Sequence, residues 1–377
     1  SDDGLVHVTQ DGGKNWTNIT PPDLPEFARI SLIEASPHQN GTAYIAANRH
    51  QMDDQAPYVY RTADFGKTWA TIVEGVAPTH FARQVREDPK RRGLLYLGTE
   101  HGVYVSFDDG AHWQTLQLNL PDTSVQGVQV AEHDLVIGTH GRGFYVLDDI
   151  SILRQATPTL TTEALHLFDP RDPLRGRDGT LRIDYYLGRD AELVTIDFLD
   201  AQGQVVRSLK GDAKAPPRQQ TAEEQLIEMF VGPAPRVTFA RGLNRLNWDL
   251  RYEGSVVFPG MIMWAAMPQR GPGAPPGAYA VRVSANGETK TERFTIGIDP
   301  RLADVTEAHL QEQFTFARQI RDKVSEANSA VLQVRSIGDQ VKERLDKVPP
   351  RRRAEIQKLV DGLMQPLTAV EEEVYQV

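Results

Sequence analysis

The chain has 377 residues, which at roughly 100–200 residues per domain is enough for two or three domains. Its formal net charge of −10 argues against a general nucleic-acid binder, because such a protein presents a basic surface. The sequence has no cysteine, which excludes disulfides and cysteine-ligated zinc sites. No apolar stretch reaches the roughly 20 residues that span a bilayer, so we expect no membrane span.

The first 150 residues contain three copies of the pattern [S/T]-x-D-x-G-x-x-W, which begin at Thr9, Thr62 and Ser106. Each copy follows a short strand of alternating residues, and the aspartates recur at intervals close to the roughly 40–45 residues of a four-stranded propeller blade. A fourth, degenerate copy has Asp149 at the aspartate position but lacks the glycine and the tryptophan. The repeats predict propeller blades over residues 1–150.

The residue types shared by the three copies are those of a tight turn. An aspartate carboxylate can accept hydrogen bonds from backbone N–H groups of the turn, and glycine adopts a backbone conformation that other residues resist. The tryptophan buries a large ring between neighbouring sheets. We therefore expect structural rather than catalytic roles for Asp11, Trp16, Asp64, Trp69, Asp108 and Trp113.

With these motifs the segment resembles the Asp-box, or bacterial neuraminidase-repeat, propellers. Within that group it is similar to bacterial sortilin-like proteins that are often called glycosyl hydrolases, and the strings at 138–142 and 248–252 support this. The resemblance implies an exported protein, in the periplasm or outside the cell. Because propellers typically have about 4–8 blades, we expect that the chain is the C-terminal portion of a longer protein or that another chain completes the ring.

The pattern changes after residue 150. Residues 151–164, with Pro158 and several threonines, are predicted to be a linker. Alternating runs at 181–187 and 193–199, and an Asn286-Gly287 turn between two later runs, predict a β-sandwich over 165–300. The string 275–279 resembles the last strands of immunoglobulin-like domains of the flagellar hook-capping type.

Residues 303–377 are predicted to be helical. Apolar residues at steps of three and four from Leu310 to Leu345 indicate one long helix, with Thr306 as its N-cap. Pro349-Pro350 ends that helix, and a second apolar stripe follows, which Pro366 should kink or interrupt. Two helices joined by a short break predict an antiparallel hairpin. The fold class is therefore mostly β and multi-domain, with a C-terminal α-helical hairpin.

The sequence contains no catalytic or cofactor motif of high specificity: no P-loop, no G-x-S-x-G, no H-E-x-x-H and no dinucleotide fingerprint. We expect no cofactor. Asp-box sialidases carry one arginine in an F/Y-R-I-P motif, and the nearest string here, 27–31, has an inserted Ala28 and lacks the proline. The role of that arginine is therefore not assigned to Arg29.

In the predicted blades, the hairpin tips lie on the face opposite the Asp boxes. We take these tips as the candidate binding face, because loops on a rigid scaffold commonly carry function. Their side chains could bind an anion or a sugar, and their carboxylates could act as general acid and base in glycoside hydrolysis. In the structural alternative each histidine caps its own hairpin and the charges are solvated. The blade spacing argues against a three-histidine metal site. The candidates are Arg49, His50, Asp53, Asp54, Glu100, His101, His140 and Arg142.

Two functions remain open, and the sequence favours the one without catalysis. The first is a non-catalytic binding or assembly module of an exported sortilin-like propeller protein, which engages a protein or peptide partner. The second is a glycoside hydrolase, or a degenerate one, that acts on a carbohydrate through carboxylates of the propeller face. A hydrolase requires two carboxylates that converge in a pocket and at least one perturbed pKa. A binding module requires only a shaped surface.

Overall fold

The computed structural model of the chain describes residues 3–176, 179–216, 228, 235–258, 261 and 270–375. Its internal contacts divide the chain into two compact units, Ser1–Ala156 and Thr157–Val377, here termed unit 1 and unit 2. Most of the regular structure is β, and two long helices lie at the C-terminal end. None of the helices in the described ranges combines the length and the apolar character needed to cross a membrane.

Unit 1 consists of antiparallel sheets in which the strand order follows the chain, so each sheet is a meander. The first sheet has two strands, the second and third have four each, and the fourth has three. In chain order the strands are β1 (His7–Val8), β2 (Thr17–Asn18), β3 (Arg29–Ala35), β4 (Ala43–Arg49), β5 (Asp54–Thr62), β6 (Ala70–Thr71), β7 (Ala82–Glu87), β8 (Leu95–Thr99), β9 (Gly102–Ser106), β10 (Gln114–Thr115), β11 (Val125–Ala131), β12 (Asp134–Thr139) and β13 (Phe144–Leu147).

Each sheet of unit 1 packs against the next sheet along the chain. Val6 lies in one core with Tyr60 of the second sheet. Residues of β4 and β5 share a second core with β7 and β8 of the third sheet. A third core joins β8 and β9 to β11 and β12. The repeats are therefore stacked in sequence order, with apolar side chains in each interface.

The three Asp-box turns have the same hydrogen-bond pattern. In each, one carboxylate oxygen accepts from the backbone N–H four residues on, and the side chain of that residue is bonded to the other oxygen. The backbone and side chain of Asn15 lower the pKa of Asp11 to about 2, and those of Thr68 lower the pKa of Asp64 to about 2. The carboxylates thus stabilise the turns in their ionised form.

The tryptophans of the three turns differ in their environment. Trp113 is 5% exposed, and its Nε1 donates to the carbonyl of Ile72 at 2.9 Å. Trp69 is half-buried and donates to the carbonyl of Ile19 at 2.7 Å. Trp16 is 61% exposed and donates only within its own turn, to Gly13 at 3.2 Å. Trp69 and Trp113 therefore connect their sheets to the preceding ones, whereas Trp16 does not.

The predicted linker, 151–164, is partly built into unit 1. Helix α1 (Ser151–Gln155) follows Ile150, which is buried, and its Leu153 packs on the core of the third and fourth sheets. Arg154 pairs with the buried carboxylate of Asp88 at 2.9 Å. These contacts attach the first part of the segment to the sheets. A 3₁₀ turn, Leu160–Thr162, follows in unit 2.

Unit 2 contains two sheets that share one hydrophobic core. Trp248 is fully buried there and stacks on Phe198 of the other sheet at 4.1 Å between ring centroids. The three-stranded sheet has the order β14 (Leu165–Leu167), β16 (Leu181–Leu187), β19 (Gly242–Trp248). The five-stranded sheet has the order β15 (Leu174–Arg175), β23 (Glu288–Ile298), β22 (Gly277–Ala285), β17 (Leu193–Leu199), β18 (Val205–Asp212), and a separate pair is formed by β20 (Arg251–Glu253) and β21 (Arg270–Gly273).

The C-terminal helices are α2 (Glu307–Asp346) and α3 (Pro350–Val374). Thr306 caps α2, as predicted: its Oγ1 accepts from the backbone N–H of His309 at 3.3 Å. Pro366 does not interrupt α3, which is continuous through it, and the residue lies on an exposed face. Contacts with α2 hold the helix on either side of the proline, through the Arg335–Glu371 ion pair and the packing of Met364 on Gly338.

Candidate functional site

Three strands of unit 1 carry a β-bulge near the same end of their sheets. The register shifts in the pairing of β3 with β4, of β7 with β8, and of β11 with β12. The residues skipped by these pairings are Ser31, Arg83 and Gln126. A bulge leaves one residue outside the ladder and re-aims its side chain, and bulges are common beside functional sites. All three of these residues line the same cavity.

This cavity has a volume of about 720 Å³, within the roughly 300–1,000 Å³ typical of ligand pockets. Arginine, amide and hydroxyl side chains dominate its wall, and none of the described residues that line it is acidic. It is termed the amide-lined cavity. Its wall is formed by Arg29, Ile30, Ser31, Asn48, Gln51, Arg83, Gln84 and Gln126.

Asn48 and Arg29 lie opposite each other in the β3–β4 pairing. Asn48 is 3% exposed and donates from Nδ2 to Ser31 Oγ at 2.6 Å, which fixes the amide. Arg29 is exposed, and within the described part of the chain its guanidinium has no hydrogen-bond or ion-pair partner. Among the described residues, the cavity thus combines a rigid amide with an unpaired cation.

Arg83 is held rather than free. Its Nε and Nη2 donate to Glu100 Oε2 at 2.7 Å and 2.6 Å, and its guanidinium lies 4.8 Å above the Phe81 ring. Burial by itself raises the pKa of Glu100, but hydrogen bonds from Ser124 and Arg83 outweigh it, so the pKa lies below the ordinary value. Glu100 is therefore kept ionised and serves to orient Arg83.

The predicted tip residues of the second sheet fall into two groups. His50 stacks on Phe81 at 4.9 Å, so it joins the cluster of Arg83 and Glu100. Arg49 and Asp54 pair with each other at 2.9 Å, away from that cluster.

The two carboxylates at this tip differ in their surroundings. Burial opposes the ionisation of Asp54, but bonds from Ala56, Tyr58 and Arg49 bring its pKa below the ordinary value. Asp53 is exposed and has a positive φ of 58° at the end of a short 3₁₀ turn. Asp54 is thus bonded to its neighbours, whereas Asp53 is exposed.

The other predicted histidines lie elsewhere. His101 bonds to Asp122 at 3.0 Å, and its ring lies 4.6 Å from that of His80. His80 in turn is bonded to the hydroxyl of Tyr104 at 2.8 Å, beside a cavity of about 310 Å³. The side chains of His140 and Arg142 are exposed, with no partner in the described part of the chain. The described ranges also contain no group of acidic or histidine side chains that could hold a metal ion.

A repeated string could have identified the cavity from the sequence. Phe-Ala-Arg occurs at 27–29 and again at 81–83, near the start of the first strand of the second and third sheets. The interval between these strings is close to that between the first two Asp boxes. The string thus marks two arginines of the cavity wall. The bulges place Arg83 at the position of Ser31 in the second sheet and of Gln126 in the fourth, so these equivalences were not visible in the repeats.

Comparison with known proteins connects part of the chain to a sorting protein. No protein-family model matches the chain. Over 100 residues the chain is 35% identical to vacuolar protein sorting/targeting protein 10 from Laccaria bicolor. That match covers 26% of this chain and 6% of the other protein. Over this segment the chain is related to a sortilin-like sorting protein.

Two of the solved structures with some similarity are GH74 enzymes. A GH74 xyloglucanase from Xanthomonas campestris matches with 18% identity and a TM-score of 0.27, over 42% of this chain and 27% of that one. An ancestral GH74 enzyme matches with 9% identity and a TM-score of 0.24, over 68% and 52%. These TM-scores are too low to carry an argument about fold or function.

Proposed function

We propose that unit 1 is part of an Asp-box β-propeller whose amide-lined cavity binds a protein or peptide partner without catalysis. The observation that carries the proposal is the convergence of Ser31, Arg83 and Gln126 on a cavity wall with no acidic residue among those described. The stacked meanders, the Asp-box turns and the partial relation to a sorting protein support it.

The chemistry of the wall suits a peptide. The side-chain amides of Gln51 and Gln84 can each supply a donor and an acceptor, as a peptide group does. The amides of Asn48 and Gln126 are already hydrogen-bonded to neighbouring side chains and shape the wall. Arg29 supplies a guanidinium that is unpaired among the described residues, and a guanidinium can bind a carboxylate through two parallel hydrogen bonds. A peptide with a carboxylate at its end or on a side chain is the ligand that uses both features.

The hydrolase alternative has less support. A glycosidase needs a protonated carboxylic acid with a raised pKa beside a second carboxylate. Burial favours such a rise at Glu100 and Asp54, but hydrogen bonds from Ser124 and Arg83, and from Ala56, Tyr58 and Arg49, lower both pKa values. Each carboxylate also has an arginine as an ion-pair partner, so neither has the properties of a general acid.

The remaining parts of the chain fit an exported assembly protein. We assign an immunoglobulin-like sandwich to 165–300 and a docking hairpin to 303–377, after a propeller portion at 1–150 and a linker at 151–164. Trp16 would pack on a further Asp-box sheet, supplied by a longer form of the chain or by a partner, because the same residue in the next two repeats reaches a carbonyl of the preceding sheet. Periplasmic or extracellular localisation follows from the resemblance.

Selection from a displayed random-peptide library tests the binding proposal. We expect enriched peptides to carry a carboxylate and to bind Arg29→Gln at least tenfold more weakly than the wild type, since a hydrogen bond to a charged group contributes about 1.5–3 kcal/mol. Arg142→Gln is the matched control, because it removes an exposed arginine of the same unit that is outside the cavity wall. Its affinity should equal that of the wild type.

Two results would count against the proposal. One is a failure to enrich any peptide, and the other is an equal affinity of Arg29→Gln and wild type for the enriched peptides. Release of reducing sugar from xyloglucan by the wild type, lost in Glu100→Gln, would instead favour the hydrolase. The two functions are therefore distinguished with the same set of proteins.

A further inference from the structure

A second cavity, of about 490 Å³, lies within unit 2 between the β20–β21 pair and helix α2. Arg175, Arg251 and Arg270 lie on its strand side. The facing wall comes from α2 and is mostly apolar, with Phe314 and Ile320, but it also includes Gln313 and Arg321. No acidic side chain occurs among its described lining residues. The cavity is separate from the site assigned above.

The three arginines have few partners. Nη2 of Arg175 donates to Gln313 Oε1 at 3.3 Å, and its Nε is buried without a hydrogen-bond partner. Nη1 of Arg251 donates to the carbonyl of Gly271 at 2.9 Å. Arg270 is exposed, and within the described ranges none of the three forms an ion pair. Among the described residues, most of the N–H donors of these arginines therefore have no partner.

Their charges act on one another. Burial lowers the pKa of Arg175 and of Arg251 below the ordinary value. The positive charges of Arg270 and Arg175 lower the pKa of Arg251 further, whereas the negative charge of Asp249 raises it. Arginine stays charged in proteins, so this repulsion is a cost to the unliganded fold, and a bound anion would relieve it.

The backbone beside the arginines leaves room for them. A Cβ on Gly273 would lie 2.4 Å from Nη2 of Arg175, so the guanidinium rests directly on bare backbone. A Cβ on Gly271 would lie 2.1 Å from the carbonyl oxygen of Tyr252. These two glycines allow β20, β21 and Arg175 to approach closely enough to bring the cations together.

The opposite wall is mostly apolar, and its Arg321 is paired with Asp322 and donates to the carbonyl of Glu253. Phe314 is buried and packs on Tyr252 at 4.7 Å between ring centroids, which fixes α2 against the strand pair. Ala317 and Val324 continue the same face, and Ile320 is half exposed there. A ligand in the cavity therefore meets three arginines on the strand side and mainly hydrocarbon on the helix side.

We infer that this cavity binds a small amphipathic anion, a carboxylate or phosphate attached to an alkyl or aryl group. Guanidinium groups match the geometry of both head groups and bind them through paired hydrogen bonds. The apolar part of the ligand would lie along α2 and be removed from water. The inference does not depend on the function of unit 1.

Isothermal titration of the full chain with octanoate, octyl phosphate, inorganic phosphate and octanol tests this. We expect octanoate or octyl phosphate to bind, with phosphate and octanol at least tenfold weaker because each lacks one half of the ligand. If octanoate binds more tightly than octyl phosphate, the preferred head group is a carboxylate, and in the opposite case it is a phosphate. Arg251→Gln should weaken binding about tenfold or more, whereas Arg293→Gln, on an exposed position of β23, should not change it.

Arg270→Gln provides a second variant that should fold, because Arg270 is exposed and unpaired in the described part of the chain. It should weaken binding and also raise the melting temperature of the unliganded protein, since it removes repulsion from Arg251. The inference is overturned if neither amphiphile binds, or if wild type and Arg270→Gln bind them equally. If Arg251→Gln fails to fold, the Arg270→Gln result decides alone.

Discussion

The first and third Asp boxes of unit 1 have the same turn but different surroundings. In both, the aspartate accepts from the backbone and the side chain of the residue four positions on. Trp113 then lies in the core between two sheets, whereas Trp16 is mostly in solvent. The motif thus forms its turn from local hydrogen bonds alone, and burial of the tryptophan depends on a neighbouring sheet.

Removal of each tryptophan should show this difference most strongly. Trp113→Ala deletes a buried ring and leaves the carbonyl of Ile72 without its donor, and we expect a loss of about 3–5 kcal/mol in the free energy of unfolding of unit 1. Trp16→Ala should cost less than about 1 kcal/mol, as for other surface changes. Hydrogen exchange of the β8 and β9 amides measures the loss of stability in each variant. Similar losses in the two variants would contradict the comparison.

Two glycines extend the same comparison to the backbone. Gly75 and Gly13 have nearly equal φ angles of 92° and 91°, but a Cβ would lie 2.2 Å from the carbonyl oxygen of Trp113 at Gly75 and 4.0 Å from the Trp16 ring at Gly13. Gly13→Ala should cost only the conformational strain, about 1–2 kcal/mol. Gly75→Ala should cost more, because the clash is with backbone. Urea unfolding monitored by circular dichroism measures the two losses, and equal losses would disprove the packing explanation.

Local chemistry made much of the fold predictable. The Asp-box strings, the alternating runs of 181–187 and 193–199 and the Thr306 cap each depend on residues close in the chain, and the strands and the helix start are found where those signals are. The continuity of α3 through Pro366 was not predictable in this way. It depends on contacts with α2, such as Arg335–Glu371, which are distant in sequence.

The candidate site was less predictable for a related reason. Ser31, Arg83 and Gln126 converge because each is the extra residue of a bulge, and alternation of apolar and polar residues does not reveal where a ladder slips. The histidines were chosen for their chemistry, and the structure separates them because each lies on a different hairpin. Arg251 and Arg270 lie on the consecutive strands β20 and β21, but Arg175 comes from β15, which is distant in the chain.

Acid titration should distinguish the Asp-box carboxylates from ordinary surface ones. Hydrogen bonds in the turns lower the pKa of Asp64 from 3.8 to about 2. A lowered pKa in the folded state means that the contribution to stability is present above about pH 3.8 and is lost as the pH falls toward 2. Asp64→Asn should therefore reduce the acid dependence of the melting temperature of unit 1 between pH 4 and about pH 2. Asp53→Asn, at an exposed residue outside the turns, is the control and should leave that dependence unchanged.

The smallest expected effect distinguishes the third turn from the first. His112 occupies the position of Asn15, and its bond to Asp108, together with the charges of Asp108 and Glu74, raises the pKa of His112 above its usual 6.5. Stability from this pair is fully present below pH 6.5 and is lost as the pH rises through the raised value. His112→Asn should keep a hydrogen bond to Asp108, as Asn15 does with Asp11, but remove the pH dependence of stability. Melting temperatures between about pH 6 and pH 9 should then decline in the wild type and stay flat in the variant, and parallel curves would show that His112 is uncharged in this turn.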